Sequence, residues 1–361
     1  MFRSVRHLSV LAVAVVVVGL VAGWSTFGTG FNRTVLAIET YSIYGYTVVG
    51  GEFTEAGGQS AKHLAFWDFF ENKWKEFGEG TNGPVRAMTI FNGDLIIAGD
   101  FTRAGNVSAN GIARWDGIRW RKLGEGVNGR IRALVISDSS LYVGGEFTRA
   151  GSVNAKNVAR WTGTSWQSMG GGLNGPVHAL ESYDGDVFAG GDFTRSGNRR
   201  VSGIARWNGG SWRSLASDSS SPEGVNANVY ALTVWEDMLI VGGDFTEAGG
   251  TNAGRIASWD GDRWSALGSG LNGTVFALNP YALDRYLQVG GSFTRAGGET
   301  AKRYAIWVGE PNLWWGDATL GAGMNGPVHA IGPDVGGYSN MIGGDFTVAG
   351  SHSARRIAMP D

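Results

Sequence analysis

A nine-residue phrase, VGGEFTRAG at Val143–Gly151, returns in close variants seven times, with its phenylalanines at Phe53, Phe101, Phe147, Phe193, Phe245, Phe293 and Phe346. The copies stand 46 to 53 residues apart. A period of that length over nearly the whole chain marks a ring or stack of like units, none of which buries its apolar face alone. One full copy, Asn128–Gly172, parses into four short strands. IRALVIS and LYVGGEF are apolar and rich in branched residues; NVARW and WQSMG follow, with Gly, Asn and Asp turn signals between. Tight turns such as DGIR, TGTS, NGGS and DGDR join the third strand to the fourth. No stretch after residue 24 carries a helical period. The expected fold is all-β: a seven-bladed β-propeller with four-stranded blades.

The two ends of the repeat predict how the ring closes. The C-terminal RRIAMPD aligns with NGIARWD and finishes a third strand without a fourth. Near the other end, WSTFGTGFNRTVLAI aligns with WRKLGEGVNGRIRAL and opens on a fourth strand. One blade is therefore shared between the termini, with Trp24–Gly28 as its outermost strand, and such sharing removes exposed sheet edges.

Composition supports a packed domain. Glycine is extreme at 60 residues, yet proline is only 8 and 43% of residues are hydrophobic, with 15 Trp and 17 Phe to fill a core. A formal net charge of −2 calls for neither nucleic acid nor an anionic surface. Cysteine is absent, which excludes disulfides, thiolate metal sites and a thiol nucleophile. Residues 1–23 read as a separate segment: Arg3 and Arg6 precede an apolar run from Leu8 to Ala22. Fifteen helical residues reach about 22 Å, short of the roughly 30 Å hydrocarbon core, so a cleaved export signal is expected, with no stable membrane insertion after cleavage, and a retained short anchor is the alternative. Residues 24–361 then form one propeller domain of a secreted, periplasmic or cell-surface protein, expected to be a monomer unless part of an assembly.

The repeat resembles the kelch motif and the central propeller of galactose oxidase: an apolar run, Gly-Gly, a Trp about 16 residues on and another five later, with Trp161 where kelch blades carry Tyr. The consensus GGxFTxAG…IARWxGxxWxxLGxGxNGxVxAL also looks like a repeat of uncharacterised exported bacterial proteins and of fungal cortical polarity markers. That resemblance covers nearly the whole chain after residue 24 and implies fold; it implies little about activity.

Internal repetition separates scaffold from site. A residue present in every copy serves the blade; one that changes from copy to copy at a shared cavity can build an asymmetric site. The glycines Gly144 and Gly145 fall in the first class, through close strand approach or positive φ, as does Phe147 between blades. The acid after the glycines (Glu52, Asp100, Glu146, Asp192, Asp244 and Asp345, with Ser292 the exception) reads as a cap for loop amides or a partner for a nearby Arg. A ring of calcium sites is the sharper alternative. Paired tryptophans such as Trp115 with Trp120 and Trp161 with Trp166 read as blade core.

Two positions vary. In the first strand, the residue before the conserved Ala is Leu36, Arg86, Arg132, His178, Tyr230, Phe276 and His329 in turn. The x of FTxAG is Glu55, Arg103, Arg149, Arg195, Glu247, Arg295 and Val348. The nominated ligand-binding set is therefore Arg86, Arg132, His178, Tyr230, Phe276 and His329 at the axis, with Arg103, Arg149 and Arg195 on the rim of the same face. The arginines suit a carboxylate, sulfate or phosphate, and the aromatic pair suits a sugar; the bland alternative is that each Arg pairs with the acid of its own repeat. Two insertions depart from the period: Ala216–Asn228 in a 4–1 loop, and Gly309–Gly321, expected in a 3–4 connection that exposes one of Trp314 and Trp315.

No Ser-His-Asp context, H-x-x-x-H pair or phosphate loop occurs, so no catalytic or metal-ligating residue is nominated and no cofactor is expected. The expected role is a non-enzymatic binding module for a glycan, peptide or protein, an anionic glycan among them. An enzyme, lyase or hydrolase, acting on an acidic polysaccharide at the axial pocket through His178 or His329 with Tyr230 as acid and base is the alternative, and a structural envelope component a further one.

Overall fold

A computed structural model describes residues 23–216, 224–281, 286–309, 311–333 and 340–360. The expected leader, Gly23 apart, and residues 217–223 of the first insertion lie outside the described residues. Seven four-stranded antiparallel sheets stand in a ring. Their first strands are Val35–Tyr41, Val85–Phe91, Arg130–Ser137, Val177–Tyr183, Val229–Trp235, Val275–Tyr281 and Val328–Pro333, and define blades 1 to 7. Each first strand packs on the first strands of both neighbours, blade 1 touching blade 7, so the ring is closed.

Blade 7 is the shared one. Trp24–Ser25 pairs antiparallel with Ile357–Pro360, Trp24 opposite Pro360 and Ser25 opposite Met359. The Trp24 indole donates 3.0 Å to the Ala322 carbonyl of blade 6. Every fourth strand makes this bond: Trp74 donates to Phe27, Trp120 to Gly78, Trp166 to Leu123, Trp212 to Met169, Trp264 to Leu215 and Trp314 to Leu267. The repeated tryptophan is thus an inter-blade tie as well as core, satisfying its one polar atom where its ring is buried.

The double glycine does two different jobs, and neither is positive φ. A Cβ on Gly144 would lie 2.5 Å from Val177 Cγ1 of the next blade, whereas one on Gly145 would lie 2.0 Å from the Arg130 carbonyl of its own blade. The first glycine sets the distance between blades and the second the approach of strand two to strand one. Phe147 and Ile112 share one core cluster across blades 2 and 3.

After the glycines, each 2–3 loop adds a two-stranded hairpin that the sequence reading did not separate, Arg149–Ala150 with Val153–Asn154 in blade 3. The asparagine of NG holds it. Asn128 Oδ1 accepts from the Thr148 and Arg149 amides at 2.9 and 2.8 Å, and its Nδ2 donates 2.9 Å to Thr148 Oγ1. Asn32, Asn82, Asn174, Asn226, Asn272 and Asn325 repeat the pattern. The Thr of the opening phrase is there to be pinned, which satisfies loop amides that no strand could pair.

The second insertion differs from expectation. Trp314 is the buried fourth-strand tryptophan, and Trp315 packs on Tyr286 with ring centroids 4.8 Å apart, so neither stands exposed. Part of the added length forms a one-turn helix, Asp317–Leu320, after strand four, on the side of the 4–1 loops.

Candidate functional site

The variable position of the first strand has a backbone reason that the sequence did not reveal. In every blade the register of strands one and two slips there: between Val35 and Ala37, Val85 and Ala87, Ile131 and Ala133, Val177 and Ala179, Val229 and Ala231, Val275 and Ala277, and Val328 and Ala330. Leu36, Arg86, Arg132, His178, Tyr230, Phe276 and His329 are the unpaired residues of seven β-bulges. A bulge re-aims one side chain without breaking the ladder. Each is half-buried, following a buried Val or Ile and preceding an Ala that is buried in every blade but blade 2. The scaffold therefore holds seven equivalent, differently filled positions around the axis, at the end of strand one nearest the 4–1 and 2–3 loops.

Four of these side chains touch in sequence. His178 and Tyr230 have ring centroids 5.0 Å apart, Tyr230 and Phe276 5.6 Å, and Phe276 and His329 5.0 Å. They form an arc of rings over blades 4 to 7. The other side of the ring is ionic. Arg86 Nε and Nη2 both donate to Asp100 Oδ2, at 3.0 and 2.8 Å, and Arg86 lies 3.7 Å from Glu52 of blade 1. Arg132 Nε donates 2.7 Å to Glu146 Oε1.

In blades 2, 3, 4 and 7 the acid after the glycines is thus the partner of the bulge residue in its own blade. His178 Nε2 lies 3.0 Å from Asp192 Oδ1 without the alignment of a hydrogen bond, and His329 Nε2 lies 3.2 Å from Asp345 Oδ2. Tyr230 accepts 3.1 Å from Asn228 Nδ2, and burial first, then Asp244, pushes its hydroxyl above the ordinary range. That direction is unhelpful to a general base near neutral pH. Ser292 replaces the acid only in the blade whose bulge residue is Phe276, which cannot pair with one. Blade 1 keeps the acid, Glu52, beside the equally apolar Leu36, and there the carboxylate turns to Arg86 of blade 2 instead.

The rim arginines sit apart. Arg103, Arg149 and Arg195 each open a two-stranded hairpin, are exposed, and have no ion pair or side-chain hydrogen bond among the described residues. The axial arginines are paired and the rim arginines are not, so the two sets do not act as one cationic surface. Among the described residues no group of three or more His, Asp or Glu side chains converges as a metal site requires.

A cleft of about 770 Å³ opens between the 2–3 loops of blades 4 and 5, lined by Asp192, Thr194, Arg200, Asn226, Asn228 and Glu247. Its inner wall includes Asp192 and Asn228, the partners of His178 and Tyr230, so cleft and arc adjoin. A second, of about 750 Å³ between blades 2 and 3, is lined by Asp100, Asn128, Arg130 and Arg149 among others. Both volumes suit a small ligand.

A second variable position lies two residues beyond the conserved Ala and was missed: Glu39, Thr89, Val135, Glu181, Thr233, Asn279 and Gly332. Burial raises the Glu39 and Glu181 carboxyls from 4.5 to about 7, against the opposing bonds from the Thr40 and Ser182 amides. A folded-state value above the unfolded one means that the native protein keeps a proton the unfolded chain has released. Stability therefore falls as pH rises from about 4.5 to about 7, by up to about 3 kcal/mol per group. Glu181→Gln should flatten that part of the stability–pH curve and raise the melting temperature at pH 8; an unchanged curve would show that Glu181 ionises freely.

The extracellular domain of the one component system BT4673 from B. thetaiotaomicron superposes with a TM-score of 0.62 at 12% identity, over 93% of this chain and 39% of that one. U3-55K superposes with a TM-score of 0.57 at 10% identity, over 94% of this chain and 99% of that one. At such identities these likenesses speak for the fold alone. Polarized growth protein L1 of Phoma sp. is 39% identical over 64 residues, a stretch that is 17% of this chain and 5% of that protein's length. The Rax2 C-terminal beta propeller domain matches residues 24–117 and 116–238, more than half of the chain, and the protein accordingly belongs to that family.

Proposed function

We propose that this propeller is an exported binding module whose ligand is a saccharide, seated on the arc His178–Tyr230–Phe276–His329 and reaching into the cleft between blades 4 and 5. The observation that supports it most is the coincidence of three features at one position: the residue fails to repeat, it sits on a bulge, and in four adjacent blades it is a ring. Aromatic faces with amide and carboxylate acceptors at their edges suit the apolar face and hydroxyl rim of a sugar.

An anionic ligand fits less well than a neutral one. Arg86 and Arg132 each face a carboxylate at hydrogen-bond distance, and an incoming anion would have to displace it. Arg103, Arg149 and Arg195 are free to meet an acidic substituent, but exposed charges are screened and contribute little. The name of the Phoma relative refers to polarized growth and the B. thetaiotaomicron neighbour is an extracellular domain, which supports placing the module at the cell surface.

A glycan array probed with the protein tests this. Phe276→Ala and Tyr230→Ala should each weaken retention of the recognised saccharide about 10- to 100-fold, the equivalent of about 1.5–3 kcal/mol of lost apolar contact. Arg149→Ala should change it less than threefold or so. Saccharide binding that survives both aromatic substitutions, or an array with no retained glycan, sinks the proposal.

A further inference from the structure

Large apolar side chains that stand in solvent are confined to one corner of the described residues. Ile43 is 64% exposed, Tyr44 46%, Phe69 45%, Phe70 103% and Ile118 84%. All five lie on 1–2 or 3–4 turns of blades 1 and 2. Strand one begins at the 4–1 loop, so these turns belong to the face opposite the aromatic arc. They also form one patch. A Cβ on Gly117 would lie 2.0 Å from the Tyr44 hydroxyl and one on Gly93 3.8 Å from Ile43 Cδ1, which puts the Ile43–Tyr44 turn against the turns of blade 2 beside Ile118. Tyr44 stacks on Tyr46 at 6.4 Å, and Tyr46 meets Phe66 at 4.4 Å in the strand that leads to Phe69 and Phe70.

Repetition shows that the scaffold does not require them. The equivalent turns of blades 3 to 5 carry Asp138-Ser139, Thr162–Ser165, Asp184-Gly185, Asn208–Ser211, Glu236-Asp237 and Asp260–Arg263. Polar and glycine residues make the same turns there, so the apolar tips of blades 1 and 2 serve something outside the blade.

The path of the chain says what. A fourth strand starts at this same face, and in blade 7, next to blade 1, it is Trp24–Ser25. In the full-length chain the apolar run from Leu8 to Ala22 precedes it, so a retained run enters the propeller at the face carrying the patch, with only Gly23 between. The carboxylates around the patch are neutralised: Asp68 by Lys75, Asp94 by Arg114 and Asp116 by Arg121, each within 2.9 Å. That lowers the cost of bringing them to a low-dielectric surface.

We propose that this face of blades 1 and 2 rests on a lipid bilayer, Phe70 and Ile118 entering the interfacial layer beside the point where the apolar N-terminal run joins. Aromatic and branched side chains at turn tips, rather than a groove, match the chemistry of the headgroup–acyl boundary. The saccharide face then points away from the membrane. The inference does not depend on the identity of that ligand.

The sequence has no cysteine, so single-site labelling is unambiguous. Full-length Phe70→Cys, Ile118→Cys and Asn198→Cys, the last on the opposite face, would each carry an environment-sensitive dye and be mixed with vesicles of equimolar phosphatidylcholine and phosphatidylglycerol. The expected result is a shift of emission to shorter wavelength and quenching by brominated lipid at positions 70 and 118, with neither at 198, and unchanged melting temperatures. No vesicle-dependent change at 70 and 118, or an equal change at 198, overturns the proposal. A shift that grows with protein concentration in the absence of vesicles overturns it too and assigns the face to a second copy of the chain.

Discussion

Removal of Trp24–Gly28 abolishes cooperative folding of the whole ring rather than loosening one blade. The segment supplies the fourth strand of blade 7, and it buries Trp24 and Phe27 at 3% and 8% exposure. Trp24 meets Tyr304 of blade 6 edge-on at 5.6 Å, and Phe27 meets Trp67 of blade 1 at 5.2 Å. Losing a buried aromatic costs about 3–5 kcal/mol, so losing two, together with the indole bond to Ala322, rivals the roughly 5–15 kcal/mol by which a domain is stable. Deletion of residues 355–361 acts from the other side: it removes the strand that Trp24 pairs with and the Arg355 carbonyl that accepts 2.9 Å from the Phe31 amide. Amide exchange in blade 4, far from the closure, measures the effect. Protection there should collapse with that of blade 7; a truncated chain that keeps the parent melting temperature would contradict closure by the shared blade.

Gly145→Ala should be nearly as damaging, although it adds one methyl group. Its Cβ would meet the Arg130 carbonyl at 2.0 Å and the Ile131 Cα at 2.9 Å, both backbone atoms in a ladder that cannot step aside. Overpacking of this kind costs about 1–3 kcal/mol, and more when backbone must move. Gly210→Ala is the control, since its nearest neighbour is Asn208 Oδ1 at 3.8 Å and its φ is not positive. Thermal unfolding should show a loss of several degrees at 145 and almost none at 210. Equal melting temperatures would mean that the double glycine is not there for close approach.

Why the blades were legible and the site only partly so has a physical explanation. Seven copies average out local noise, so alternation, turns and the offset at the two ends gave strand order and the shared blade directly. The same averaging hides small irregularities common to all copies. The bulge costs one residue in each first strand and leaves no mark on a pattern that already has it seven times. Asn128 and Thr148 likewise read as turn residues, and only coordinates show that one pins the other. The nominated arginines illustrate a different limit. Charge and position are readable, but whether Arg86 is free depends on Asp100, which lies 14 residues away and is brought opposite it by the hairpin. The apolar tips at Phe70 and Ile118 departed from the repeat in plain view, and became a surface only when the turns of blades 1 and 2 were placed side by side.

The central claim is that the bulge positions carry binding while the repeated residues carry the fold. Blade 1 already holds leucine at its bulge, in Leu36, so leucine is compatible with the scaffold there. His178→Leu, Tyr230→Leu, Phe276→Leu and His329→Leu, made singly, should leave the melting temperature within a few degrees of the parent and weaken saccharide binding, measured by titration calorimetry, about tenfold or more. If instead the melting temperatures fall and the affinity stays, the arc is core, and the ligand, whatever its class, binds elsewhere on the ring.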